Sequence, residues 1–177
     1  VKPSMRKGWN GNFEAGYGND DHYRAKGMAN RFKNKMNLSI NGTANDNGIN
    51  SNQRIGANYS QNTQKLKYGG SIEVRENKRD SWSKRHTESF LSDNTSQFSL
   101  QNNQSDGKTS AISANFRFEW KLDSLTTIMY RPTFNFSKGN SNSGNFSETL
   151  NNESTPINRK EATNHQTNDR FSTNGSL

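Results

Sequence analysis

The chain lacks cysteine and has few apolar residues. Without cysteine, a disulfide scaffold and a thiolate metal site are both excluded. Hydrophobic residues make up 27% of the 177 residues, and Gly adds 14 more residues, whereas soluble domains hold about 45–50% with Gly included. No apolar run approaches the roughly 18 residues of a transmembrane helix. Two classes remain: a largely disordered chain, or a fold whose apolar side chains face lipid instead of a core.

The formal net charge of +8 suggests nucleic acid or anionic lipid as a partner. The basic residues are scattered, however, and several lie in a tight turn or a polar stretch, namely Lys33, Lys35, Lys78, Arg79, Lys84 and Arg85. We interpret them as a solvated surface. No signal peptide is visible. Because the chain opens with Val1 and stops in a strand-like stretch, we expect it to be a piece of a longer protein.

The hydrophobic period is two, which indicates β-strands. Between Ile112 and Trp120 every second residue is apolar and every alternate one is polar, so a strand there has one apolar and one polar face. Similar runs of about 8–12 residues, close to the length of a tilted membrane-crossing strand, recur along the chain. They lie at Trp9–Tyr17, His22–Phe32, Met36–Ala44, Ile55–Tyr59, Leu66–Arg75 and Ile128–Phe136, and Arg170–Leu177 is predicted to begin an eighth strand.

The connections alternate between two kinds. Tight polar turns are predicted at residues 33–35, 62–64 and 122–124, and the other links at 18–21, 46–51, 78–107 and 139–167. Outer-membrane barrels have short periplasmic turns and longer extracellular loops. The stretch 78–107 contains apolar residues that allow its hairpin to continue above the membrane, whereas the Asn/Ser/Thr-rich stretch from Asn140 to Asn168 is predicted to be loop. Pro132 predicts a bulge or local break.

The placement of the aromatic residues agrees with two interfacial girdles, although aromatic residues also favour strands in general. Trp9, Tyr59, Tyr68 and Trp120 lie near the tight turns, and Tyr17, Tyr23 and Phe136 lie near the opposite strand ends. Six charged residues are predicted to point into a barrel lumen, where they would pair across strands or contact a plug. They are Glu14, Glu73, Arg75, Arg117, Glu119 and Arg131. We interpret them as a polar wall, not as a substrate site.

Several of these segments resemble a known family. They are Arg6-Lys7-Gly8-Trp9-Asn10-Gly11-Asn12, Ala15-Gly16-Tyr17-Gly18-Asn19-Asp20, Tyr23-Arg24-Ala25, Leu122-Asp123-Ser124-Leu125 and Arg131-Pro132-Thr133-Phe134. The first three resemble the first barrel hairpin of TonB-dependent-receptor-like outer-membrane β-barrel proteins of Bacteroidetes-type bacteria, and the last two resemble a later hairpin. The resemblance covers most of the chain in order.

The resemblance implies a bacterial outer-membrane protein with an upstream carboxypeptidase-regulatory-like domain, a plug and a barrel of roughly 22 strands. Residues 1–177 would then be a partial barrel domain: an all-β, antiparallel transmembrane segment of about 7–8 strands with long extracellular loops. The implied partners are outer-membrane lipid, the plug, and a TonB-type energy-coupling protein or surface lipoprotein. The expected function is transport or uptake, with a structural or adhesion barrel as the alternative.

The sequence contains only weak matches to enzyme and metal-binding motifs. His22, His86 and His165 are far apart and lack metal-ligand spacing. Gly16-Tyr17-Gly18 is a lone fragment of a dinucleotide-binding motif, Asp46-Asn47-Gly48 is better interpreted as a turn than as a calcium loop, and Asp20-Asp21 as a turn signal than as a cation site. We therefore expect no enzyme activity, catalytic residue, cofactor or metal.

Two further hypotheses stay open with lower weight. A basic soluble nucleic-acid-binding protein should combine its aromatic and basic side chains on one surface, but here the aromatic residues share a face with Ile, Leu and Ala. A secreted adhesin or β-solenoid should show a fixed short repeat, and none is found.

Overall fold

A computed structural model describes residues 7–20, 22–91 and 95–176, and in this part of the chain it contains eight β-strands in one sheet. Each strand pairs antiparallel with the next along the chain, in the order β1 to β8. The strands are β1 (Lys7–Tyr17), β2 (Tyr23–Lys33), β3 (Met36–Asp46), β4 (Asn50–Asn62), β5 (Leu66–Phe90), β6 (Ser96–Lys121), β7 (Thr127–Leu150) and β8 (Pro156–Ser176). The all-β antiparallel class predicted from the alternation is confirmed.

The three predicted tight turns lie at one end of the sheet. Residues 34–35 join β2 to β3, residues 63–65 join β4 to β5, and residues 122–126 join β6 to β7. In the last turn, Oδ1 of Asp123 accepts hydrogen bonds from the backbone amides of Leu125 at 2.8 Å and Thr126 at 2.7 Å. Because these bonds favour the charged carboxylate, they lower the pKa of Asp123 below the usual aspartate range.

The prediction of long loops at the other end is wrong. Residues 78–107 are mostly strand, since β5 and β6 pair continuously from Leu66↔Trp120 to Phe90↔Ser96. The β5–β6 hairpin therefore continues through this stretch, which its apolar residues had indicated as one possibility. The stretch Asn140–Asn168 is also strand on either side of a short turn at residues 151–155. Consequently β5–β8 are 21 to 26 residues long, about twice the predicted length.

The Asn- and Ser-rich strands form because their side chains pair across the sheet. The amide of Asn145 donates to Asn103, the amide of Asn103 donates to the Ser83 hydroxyl at 3.4 Å, and the Ser81 and Ser105 hydroxyls lie 2.8 Å apart. Such groups favour turns because they bond to the nearby backbone. Here the bonds join side chains 20 to 42 residues apart in sequence, so they support the ladder instead.

The β6–β7 ladder is interrupted beside Pro132. The register is the same on both sides of the interruption, from Asn115↔Thr133 to Phe118↔Tyr130. Since proline has no backbone N–H to donate, the predicted local break is present, and it does not shift the register.

No helix in the described residues is long and apolar enough to cross a membrane. Some residues used in the predictions lie outside the described part of the chain: Arg6 of the first motif, Asp21 beside Asp20, and Leu177 of the predicted eighth strand.

Candidate functional site

Directly opposite residues of an antiparallel pair share one face of a sheet, and successive residues alternate between faces. The register therefore assigns every strand position to one of two faces. We call the face that carries Trp9, Leu38 and Phe116 the apolar face, and the other the polar face. Side-chain contacts agree with this assignment, because ion pairs such as Arg54 with Glu73 join residues that the register places on the same face.

The large hydrophobic side chains of the apolar face form a continuous band across the sheet. We define the apolar band by Trp9–Tyr17 of β1, Tyr23–Arg31 of β2, Met36–Ala44 of β3, Ile55–Tyr59 of β4, Leu66–Val74 of β5, Ile112–Trp120 of β6 and Ile128–Phe136 of β7. On most strands the band spans nine residues, roughly 26 Å along the strand.

No second layer of the described chain covers the apolar band. Phe13 is 78% exposed, Phe116 is 49% exposed, and the only buried hydrophobic residue among the described residues is Ala111 of the polar face. Gly70 leaves an open apolar depression of about 490 Å³, bordered by Tyr68 and Phe116. A water-soluble sheet would normally bury such a face against another layer.

The apolar band ends at a defined level on β5–β7. Beyond Val74 the same face carries Glu76 and Lys78, and beyond the last hydrophobic residues of β6 and β7 it carries Lys108 and Lys138. Nζ of Lys108 lies 2.8 Å from Oε2 of Glu76. The strands then continue as a four-stranded extension, which we define as residues 76–90, 96–110, 138–150 and 156–169.

Aromatic residues with polar tips lie near both ends of the band, as predicted. At the tight-turn end, the hydroxyls of Tyr59 and Tyr68 donate to Oε1 of Gln61 at 2.7 and 2.9 Å. At the same end, the Arg31 guanidinium lies over the Trp9 ring, 5.1 Å from its centroid, a cation–π contact.

At the opposite end of the band, Tyr17 of β1 pairs directly with Tyr23 of β2. Nε2 of Gln53 donates to the Tyr23 hydroxyl at 3.4 Å. Both ends of the band therefore have polar groups within reach of the aromatic hydroxyls.

The polar face carries the six charged residues that were predicted to share one side, and it brings three carboxylates into ion pairs. Oε1 of Glu119 lies 2.7 Å from Nζ of Lys67, and Oε2 lies 2.8 Å from Arg117. Glu119 is only 6% exposed, so its charge depends on these two partners. Glu73 pairs with Arg54, and Glu14 lies 3.8 Å from Lys26.

Arg75 is on the polar face and exposed, and Arg131 shares that face; within the described residues neither forms an ion pair with a carboxylate. Three partners of these carboxylates, Lys67, Lys26 and Arg54, were not among the residues predicted from the sequence. Their only signal was a position on the polar side of an alternating segment, and the register was needed to identify their partners.

The three histidines lie apart. His22 is beside the Gly48 turn, His86 stacks on Phe98 with ring centroids 5.9 Å apart, and Nδ1 of His165 bonds to Asn142. The described residues contain no group of three or more His, Asp or Glu side chains that could hold a metal ion.

The Asp46-Asn47-Gly48 segment is a turn, as interpreted from the sequence. Oδ1 of Asp46 accepts from the Gly48 amide at 2.8 Å, and Oδ1 of Asn47 accepts from the Asn50 amide at 2.6 Å. Gly48 has a φ of 78°, which glycine adopts at low cost. Asp20, with a φ of 57°, lies in the β1–β2 turn.

Comparison with known proteins adds no relative. No protein-family model matches the chain, and no curated protein or solved structure shows significant similarity to it. The arrangement that remains to be explained is a single sheet with an uncovered apolar band on one face and paired charges on the other.

Proposed function

We propose that the chain forms part of the wall of a bacterial outer-membrane β-barrel of the TonB-dependent-receptor-like kind, which acts in transport or uptake. The observation that carries the proposal is the uncovered apolar band. Full exposure of a Phe, Leu or Ile side chain to water costs about 1.5–3 kcal/mol relative to burial, and the band holds many such residues. Acyl chains would cover all of them at once.

The dimensions of the band support this placement. Nine residues per strand fall at the lower end of the roughly 9–11 that a tilted strand needs to cross the hydrocarbon region. The aromatic residues at both ends have the amphipathic character that suits the membrane interfaces. In this placement the tight turns are periplasmic, and the extension projects from the cell surface.

The polar face would line the barrel interior. There Glu119 with Lys67 and Arg117 forms a compact charged network that needs no lipid contact. The proposed partners in the intact protein are outer-membrane lipid, a plug domain, and a TonB-type energy-coupling protein or surface lipoprotein; all except the lipid are proposed on the family resemblance alone.

A barrel for adhesion or outer-membrane structure is the second candidate, and the extension favours it. Trp82 is 76% exposed and Phe90 is 81% exposed there, on the outward side in the proposed placement. The nucleic-acid hypothesis has less support, because the basic residues of the extension's polar face have no aromatic neighbours on that face to stack bases.

The experiment is site-directed spin labelling of the intact protein folded in lipid vesicles. Single cysteines at Asn115, Phe116, Arg117 and Phe118 sample both faces at mid-band. We expect labels at 116 and 118 to be relaxed by oxygen dissolved in lipid, and labels at 115 and 117 by an aqueous nickel complex. The reverse pattern, or aqueous access at all four positions, would refute the proposal.

Removing the part of the extension that β5 and β6 form distinguishes transport from adhesion. Replacing residues 79–107 by a short turn keeps the apolar band of β5 and β6. Loss of cell attachment with unchanged growth on imported solutes would favour adhesion, whereas loss of uptake would favour transport. Fractionation with outer membranes and heat-modifiable migration on gels check that the variant is folded.

A further inference from the structure

The extension and the row of residues next to it, which contains Arg75 and Arg170, separate their charges by face. Above Glu73, the polar face of β5–β8 carries five basic residues and no carboxylate in its strands. The basic residues are Arg75, Arg79, Arg85, Lys160 and Arg170. All the remaining positions of that face are small or neutral, chiefly Ser, Thr, Asn, Gln and Gly.

Carboxylates are not scarce in these strands. The apolar side of the same extension carries seven, namely Glu76, Asp80, Glu88, Asp106, Glu148, Glu161 and Asp169. It also carries the basic residues Lys78, Lys84, Lys108, Lys138 and Arg159. One face is thus of mixed charge and the other purely positive, so a high local content of basic residues does not explain the difference.

The ladder arranges the basic residues around a floor of small side chains. Arg75 of β5 and Arg170 of β8 belong to one row, with Ala111 and Ser137 between them. Three strand spacings separate them, roughly 14 Å. Two guanidinium groups therefore border the same short-side-chain surface from opposite sides.

A second row repeats this arrangement farther from the band. Arg85 of β5 and Lys160 of β8 border Gln101 and Ser147, ten residues or roughly 33 Å along the strand from the first row. Arg79 lies between the two rows beside Gly107. The five side chains are exposed, and none forms an ion pair within the described chain, so their charges remain available to a ligand.

We propose that this basic surface, defined by Arg75, Arg79, Arg85, Lys160 and Arg170, binds small multivalent anions that carry phosphate or carboxylate groups, with one binding position between Arg75 and Arg170. Guanidinium forks match such groups in a bidentate way, and rings of Arg and Lys select for anions in pores. The hydroxyls and amides of the floor supply further hydrogen bonds to oxygen. The inference rests on the proposed function in two respects: that the polar face lines the barrel interior, and that the anion is the solute taken up.

The test is calorimetry on the intact protein in detergent at about 0.15 M ionic strength, where the Debye length is about 8 Å, with pyrophosphate and citrate as probes. The first variant carries Arg75→Gln and Arg170→Gln. The matched control carries Lys78→Gln and Lys138→Gln, which removes the same charge from the apolar side at a similar level. We expect the first variant to weaken binding roughly tenfold or more, since charge-assisted hydrogen bonds are the strong ones, and the control to change it less than twofold, within the range of weak screened charges.

Equal weakening by both variants would show that net charge alone attracts the probes and would overturn the inference, as would no binding of either probe. A single-stranded oligonucleotide that binds more tightly than pyrophosphate, with the same dependence on the variants, would also overturn it and favour nucleic acid. Heat-modifiable migration confirms that the variants are folded. The spin labels at positions 115–118 test the membrane placement separately. If the labels at 116 and 118 contact lipid but the protein does not bind the anions, this inference is rejected and the proposed function is not.

Discussion

A charge placed at the middle of the apolar band should destabilise the protein far more than the same charge one residue away. Phe116 lies at the centre of the Ile112–Trp120 segment, and its neighbour Asn115 lies at the same depth on the polar face. On the lipid-facing side of a membrane barrel, an arginine at the bilayer midplane costs about 2–4 kcal/mol, and the cost falls to about 0–1 kcal/mol near the interfaces. We therefore expect Phe116→Arg to lower the folding equilibrium constant roughly 30- to 900-fold.

Asn115→Arg is the matched control and should change stability by no more than about 0.5 kcal/mol, as a surface substitution does. Ile112→Arg and Trp120→Arg, at the two ends of the segment, complete a depth profile. The loss of unfolding free energy that the charge causes should be smaller at these two positions than at Phe116. The measurement is reversible urea unfolding of the intact protein in lipid vesicles, followed by tryptophan fluorescence, with Trp120→Phe as the reference for the Trp120 variant. A flat profile, or equal costs at positions 115 and 116, would show that the apolar band does not face hydrocarbon.

Three further predictions concern the ladder, the charged network and a turn. Gly69→Ala should cost about 1–3 kcal/mol in urea unfolding, because the new Cβ would lie 2.5 Å from a backbone oxygen of β4, whereas Gly144→Ala, with open space around it, should be neutral or stabilising. Glu119→Gln should destabilise the protein more than Glu14→Gln does, because Glu119 is shared by two cations at short distance whereas Glu14 forms one longer and exposed pair; similar losses would contradict the burial argument. Asp123 has a lowered pKa, so its contribution to stability should be complete above about pH 4, the ordinary aspartate value, and lost as the pH falls through its lower folded-state pKa. NMR titration of its carboxyl carbon in the folded protein checks this, and a midpoint at or above the ordinary value would contradict it.

The strands of the apolar band could be predicted from the sequence because their signal is local. Between Ile112 and Trp120 the alternation defines the strand and both faces without knowledge of any partner. The tight turns could also be predicted, since Asp, Asn and Ser bond to nearby backbone amides in the manner seen at Asp123. For both the strands and the turns, the residues that determine the local structure lie within about ten positions of one another in the chain.

The extension and the charge pairs could not be predicted in the same way. Ser and Asn between positions 140 and 168 are typical of loops, and they become strand only because partners such as Asn103 lie opposite them. Lys67 and Glu119 are 52 residues apart, so their contact depends on the register of a whole hairpin. The separation of charge across the extension has the same origin, because one residue of slippage would move every side chain to the other face.

The strands β1 to β8 pair strictly in the order in which they follow one another in the chain. In the described residues every backbone ladder joins strands that follow one another in the chain, so a hairpin can be inserted or lost while the register of the rest is preserved. In a closed barrel, each such event would change the circumference by two strands and widen or narrow the passage accordingly. Proteins with this connectivity can therefore evolve pores of different calibre in whole-hairpin steps.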